Sequence, residues 1–198
     1  MEFWESEQRP AASGVILDAD RGTLPFQLIH GESLVAAAAW AAGEAGVELI
    51  DATVPLDAVV DRDEPLVLHD PLCPMTPPDF IAACVERCLE TDAVVVGVRP
   101  VTDTVKRVDD DVLCETVDRD RLVAVCSPVV LPAEVLAELV PDGLPTTELV
   151  ALLAFLRERF PVQLLEAPAA ARRVGSPEDV KVLEALTKPE STAGPLPR

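Results

Sequence analysis

His69 and Asp70 end a short apolar run, residues 65–69, and their types and position suit chemistry. In open α/β sheets ligands bind beyond the carboxyl ends of strands. A carboxylate at such an end is placed to hold a divalent cation, and magnesium favours oxygen ligands of this kind. The alternative for Asp70 is a cap on the turn that follows. His69 reads first as a structural hydrogen-bonding residue and second as a catalyst. The other chemically suggestive stretch is the loop DADRGTLPFQ, after the apolar residues 14–17. Where a strand feeds a helix, free N–H groups and the helix dipole favour anions such as phosphate. This loop holds a single glycine, Gly22, and adds Asp18 and Asp20, whose charges repel an anion. An ordinary strand-to-helix turn is the expected reading.

The chain has 5 cysteines. Cys84 and Cys88 lie one helical turn apart in PPDFIAACVERCLETD, on one stripe with Phe80, Ile81, Val85 and Leu89. They read as small core residues on a buried helix face. A zinc site built with His69 and Cys73 is the rival reading; structural zinc needs two such ligand pairs brought together.

The elements that must position these residues are clearest over residues 93–128. The apolar run 93–98 reads as a strand buried on both faces. Two polar, β-rich segments follow, 104–108 and 112–117, joined by Asp109, Asp110 and Asp111, which suit a tight turn. The pair predicts a β-hairpin arm over residues 102–121. A hairpin this polar must project, and a projecting arm finds a partner surface. Residues 122–126 return to the core and stop at Ser127-Pro128.

Those residues carry a resemblance. The string TDTVKRVDDD…ETVDRDRLVAVCSP resembles the arm and following strand of the methylerythritol-phosphate cytidylyltransferase family. Asp103 to Arg107 match its D-T-hydrophobic-K-R turn, and Thr116, Val117, Asp118, Arg119, Leu122 and Pro128 match the next motif. Val67-Leu68-His69-Asp70 with Pro74 resembles its V-H-D-A-A-R-P, with Cys73 in place of the arginine. Ser176-Pro177-Glu178-Asp179 and Glu184-Ala185-Leu186 resemble its terminal T-P-E-D…E-A-L helix.

The resemblance implies a three-layer α/β/α nucleotidyltransferase domain of Rossmann-like kind, joining CTP to 2-C-methyl-D-erythritol 4-phosphate with magnesium in isoprenoid precursor synthesis. It implies Asp70 as the metal ligand and Thr104, Arg119, Ser127 and Arg173 as substrate-binding residues. In the family the arm's Thr and Arg reach into the partner's site, so a homodimer through the arm is expected, or a heterodimer with an active relative.

The chain departs from the family in the nucleotide half. Phe26 stands where the family lysine should be, so no catalytic residue is assigned. The glycine-rich loop is shortened, with Arg21 as the candidate remnant of its arginine. The second nucleotide-gripping motif is missing between residues 51 and 63. A divergent, catalytically impaired or non-catalytic relative is therefore expected, binding a phosphorylated polyol better than CTP. An active cytidylyltransferase with an altered nucleotide site is the alternative.

Composition bounds the rest. Hydrophobic residues make up 49% of the chain and aromatics 4%, so the core must be built from Val, Leu, Ala and Ile. The net charge of −19 argues against nucleic acid or an anionic membrane as partners. The acidic start lacks a signal-peptide pattern, and a cytoplasmic location is the default. Residues 1–13 are expected as a loose leader, 14–187 as the domain and 188–198 as a disordered, Pro-rich tail.

Overall fold

The computed structural model describes residues 9, 11–51, 54, 56–141, 143–144 and 146–188. In chain order the elements are β1 (Ala12–Ile16), β2 (Leu28–Ile29), β3 (Glu32–Ser33), α1 (Leu34–Glu44), β4 (Val47–Leu49), α2 (Leu56–Val60), β5 (Leu66–His69), α3 (Pro78–Thr91) and β6 (Val94–Pro100). There follow β7 (Val105–Asp109), β8 (Val112–Val117), β9 (Val123–Leu131), α4 (Ala133–Leu139), α5 (Leu149–Arg157), β10 (Val162–Glu166) and α6 (Pro177–Leu186). The leader expected over residues 1–13 fails at its end, because Ala12 and Ser13 already belong to β1. The rest of it, apart from Arg9 and Ala11, lies outside the described residues, as does the tail beyond Lys188.

The central sheet has 6 strands in the order β10-β6-β9-β5-β1-β4. β9 runs antiparallel to both neighbours, and the other pairings are parallel. The side-chain period of two splits each strand between two cores. Leu66, Leu68, Val94, Val96, Val129 and Leu131 face α4 and α5. Val67, Val95 and Val130 face α1 and α3, packing on Ala41, Ala42, Ile81, Cys84, Val85 and Cys88. This is the expected three-layer α/β/α arrangement. Burial pushes the Cys84 and Cys88 thiols up to about 12, so both behave as small core hydrophobes. Leu89, expected on the same stripe, is exposed instead.

Side chains cap three of the helices. Ser33 caps α1, its hydroxyl accepting from Ala36 N at 3.2 Å. Ser176 caps α6 in the same way toward Asp179 N, with Pro177 in the first turn. The cap of α5 is Glu148, whose carboxylate accepts from Val150 N and Ala151 N. Thr146 Oγ1 in turn accepts from Glu148 N. Trp40 is exposed on α1, whose buried side is made by Leu34, Ala38, Ala41 and Ala42.

β9 corrects the sequence reading most usefully. It does not stop at Ser127-Pro128 but runs through that cis peptide to Leu131. The ladder to β6 shifts register between Val96 and Val98, because Val96 pairs with Val129 while Val98 pairs with Val125. Opposite the bulge sits Gly97, where a Cβ would come within 3.1 Å of both the Phe80 ring and the Ser127 carbonyl oxygen. Only glycine lets the strands approach there.

The arm is β7 paired with β8, a separate two-stranded ribbon. Asp110 and Asp111 take φ of 43° and 63°, the double left-handed conformation of a type I′ hairpin turn. No helix among the described residues is long and apolar enough to cross a membrane.

Candidate functional site

The parallel strands point their carboxyl ends to one edge of the sheet, and β5 delivers Asp70 there. Leu17 N donates to His69 O at 2.8 Å, which ties the end of the first strand to the end of β5. The β9 bulge brings Ser127 to the same place. Its Oγ accepts from Asp70 N at 2.9 Å and pairs with His69 Nδ1 at 2.5 Å.

Asp70 is 1% exposed, and its carboxylate is fully engaged. Oδ1 accepts from Leu72 N at 2.9 Å and faces Arg21 Nε at 3.4 Å. Oδ2 accepts from Arg173 Nε at 3.1 Å. Arg173 arrives from the segment before α6, held there by Val174 N donating to Leu72 O at 2.8 Å. Its side chain is 40% exposed, so a guanidinium faces solvent at this edge. The Arg21 side chain is only 6% exposed. Its terminal nitrogens donate to Thr147 O at 2.8 Å and Ala19 O at 3.3 Å. Asp20 and Gly22, at φ of 61° and 60°, flank Arg21 on either side. The first loop is thus more than an ordinary turn. A signal lay in the sequence, since Arg21 is the loop's sole cation and sits between two residues that tolerate left-handed backbone.

His69 is buried, and its Nε2 has no hydrogen-bond partner among the described residues. Burial lowers its pKa to about 4, against a smaller opposing pull from Asp70, so the ring is neutral near pH 7. A neutral ring locked to Ser127 is a structural member of this edge, in line with the first sequence reading. Cys73, in place of an arginine, is buried with Cys126, and burial raises both thiols.

Whether a resident divalent cation fits can be judged from the donors. Among the described residues Asp70 supplies the only carboxylate in this cluster, and each of its oxygens meets a guanidinium. No group of three His, Cys, Asp or Glu side chains comes together among the described residues. Two guanidiniums repel an added dication, so the arrangement does not fit one.

The remaining expected residues lie on the arm. Thr104 and Arg119 line one shallow depression at its base, with Thr116 and Asp118. Arg119 donates to Thr102 O. One chain therefore gathers Asp70, Ser127 and Arg173 at the sheet edge, and Thr104 and Arg119 on the arm. Phe26, near the end of the first loop, is 63% exposed and offers the site no charge. Between the loops after β1 and β4 lies a cavity of about 190 Å³, lined by Leu17, Asp18, Ile50, Asp51, Leu144 and Thr147 among others. Small-molecule sites usually enclose roughly 300–1,000 Å³.

Residues 43–188 match the family model of 2-C-methyl-D-erythritol 4-phosphate cytidylyltransferase, well over half of the chain. The chain belongs to this family. The enzyme of that name from Frankia casuarinae is 33% identical over 144 residues, covering 71% of this chain and 53% of the relative. That from Corynebacterium glutamicum is 38% identical over 104 residues, 52% of this chain and 37% of the relative. The matches span between 31% and 64% of the length of the curated relatives. The cytidylyltransferase structure from Thermus thermophilus superposes with a TM-score of 0.66 at 20% identity, covering 87% of this chain and 96% of that one. The synthase structure from Anaerococcus prevotii gives the same score at 14% identity, covering 90% of this chain and 96% of that one. At these identities the superpositions show the fold, a cytidylyltransferase-type α/β domain.

Proposed function

We propose that this cytidylyltransferase-family chain keeps the sugar-phosphate half of the site and has lost most or all CTP transfer. The observation that carries the reading is the arginine-locked carboxylate. Arg21, the one cation of the first loop, is turned inward onto Asp70 and Thr147 and is not offered to a triphosphate. Phe26 adds no charge, Asp18 and Asp20 oppose one, and the space between the two nucleotide-side loops is small. Removing a single donor from a charge-stabilising site costs about 10²–10³ in rate. Several such groups are lacking here.

On the other side, Arg173 presents a half-exposed guanidinium beside Ser127, a setting suited to a phosphomonoester. Thr104 and Arg119, contributed by the arm of a second copy or of an active relative, complete the pocket in this reading. The arm supports it. Val108, Val112 and Leu113 are exposed at its tip, Leu113 by 68%, an apolar patch that a partner would cover. The arm's own charges are in part satisfied within it, Arg107 with Glu115 at 2.9 Å and Lys106 with Thr116. Apolar contact, more than charge, is then what would hold the partner. Cytoplasmic placement belongs to the same reading.

The active alternative, with an altered nucleotide site, draws on the survival of Asp70, Ser127 and Arg173 together. Calorimetric titration at high protein concentration separates the two. A phosphorylated polyol should bind detectably and lose affinity with salt, while CTP with magnesium should bind less well or not at all. CTP binding tighter than the polyol would overturn the proposal.

A further inference from the structure

We infer that the Arg21 guanidinium is a built-in cation that takes the place of a divalent metal at Asp70, so that ligand binding at this edge needs no metal. Three observations carry this. Asp70 is buried, and Arg21 and Arg173 approach its two oxygens through their Nε groups, at 3.4 and 3.1 Å. Arg21 is not a passing surface partner. Its side chain is nearly buried and anchored at the far end by two backbone carbonyls, Thr147 O and Ala19 O. It cannot leave Asp70 without breaking the bond that ties the first loop to the segment leading into α5. Last, within the cluster one carboxylate meets two guanidiniums, while Asp18 and Asp51 stand apart from it around the neighbouring cavity. At Asp70 itself, two guanidiniums favour a phosphate over a metal.

The guanidinium also differs from a metal in what it can do. It supplies charge and directed N–H donors but no exchangeable coordination site. It can help hold a phosphate, yet it cannot bridge the oxygens of a triphosphate as a hydrated cation does. Arg21 therefore sets which ligands this edge accepts. It favours a compact phosphate on Arg173 over a metal-bound nucleotide.

The test is titration of the full chain with Mn²⁺, following free Mn²⁺ by electron paramagnetic resonance and the amide signals of Asp70 and Leu72 by nuclear magnetic resonance. The parent protein should show no broadening of those amides up to about 1 mM Mn²⁺, with or without CTP. Arg21→Gln should gain a site at least tenfold tighter than any parent binding, and Arg21→Gln with Asp70→Asn should lose it again. Broadening in the parent that Asp70→Asn abolishes would overturn the inference, as would a folded Arg21→Gln protein that gains nothing. Should Arg21→Gln fail to fold, the amide broadening of the parent decides alone. Inorganic phosphate, titrated with magnesium and again with EDTA, should bind equally in both. Absence of any phosphate binding would count against the phosphate-site reading above and leave the Mn²⁺ result to stand by itself.

Discussion

The Asp70 edge and the arm hold the chain's two sets of candidate ligand groups, and they treat charge in opposite ways. At the edge, a buried carboxylate is held by two arginines, a backbone amide and, through its own N–H, Ser127. On the arm, Arg107 and Glu115 pair in full view of solvent, with side chains 58% and 60% exposed. The same residue types are structural in one place and nearly neutral in the other, because burial multiplies what a charge costs when it is left alone. Apolar groups reverse the pattern. The edge is backed by filled cores, whereas the arm leaves Val108, Val112 and Leu113 uncovered. The edge satisfies its buried carboxylate within one chain, whereas the arm leaves its apolar tip uncovered.

The largest effect should come from unpairing the edge. Asp70→Ala leaves the Arg21 guanidinium buried without its counter-ion and should cost about 3–5 kcal/mol of stability, read by urea unfolding. A loss under about 1 kcal/mol would show that this pair behaves like a surface one.

Acid should reach the same edge through His69. Its folded pKa, about 4, lies below the ordinary 6.5, so the folded state disfavours the protonated ring. The stability this protects is fully present above pH 6.5 and is lost as pH falls from there toward 4. The gap corresponds to roughly 3 kcal/mol. Unfolding midpoints measured between pH 7 and 4 should fall in the parent, and the component from this ring should be absent in His69→Gln. Identical pH profiles for the two proteins would remove His69 from the account.

The arm should respond in association rather than folding. Leu113→Asp should weaken a dimer at least tenfold, about 1.4 kcal/mol, by light scattering across a dilution series, with the urea midpoint of the core unchanged. A parent that is monomeric at tens of micromolar would contradict the arm's role. The smallest effect should be Arg107→Gln, within about 1 kcal/mol of the parent, since both partners are solvent-exposed.

The fold was largely legible because its signals are local and periodic. The runs 65–69 and 93–98 alternate between two cores, and the aspartates at 110 and 111 supply the turn that the hairpin needs. What escaped was set by contacts distant in sequence. Ala12 and Ser13 join β1 although Ser13 is polar, because its hydroxyl reaches Glu64 Oε1 at 2.6 Å. Ser127-Pro128 looked like a strand end, since proline interrupts ladders; the bulge opposite Gly97 absorbs it. At the site, Asp70, Ser127 and Arg173 could be named from the motifs that carry them. Arg21 could be named only as a remnant, because its partners Asp70 and Thr147 lie 49 and 126 residues away in the chain.

A cytidylyltransferase-family fold whose nucleotide half is closed by its own arginine should transfer little or no cytidylyl group. Pyrophosphate release from CTP and 2-C-methyl-D-erythritol 4-phosphate, with magnesium, at micromolar protein, reads this directly. The expected rate is far below that of ordinary enzymes, with no recovery in Phe26→Lys, because no glycine loop is left to position the phosphates. Turnover by the parent protein on the order of 1 per second or faster would contradict it.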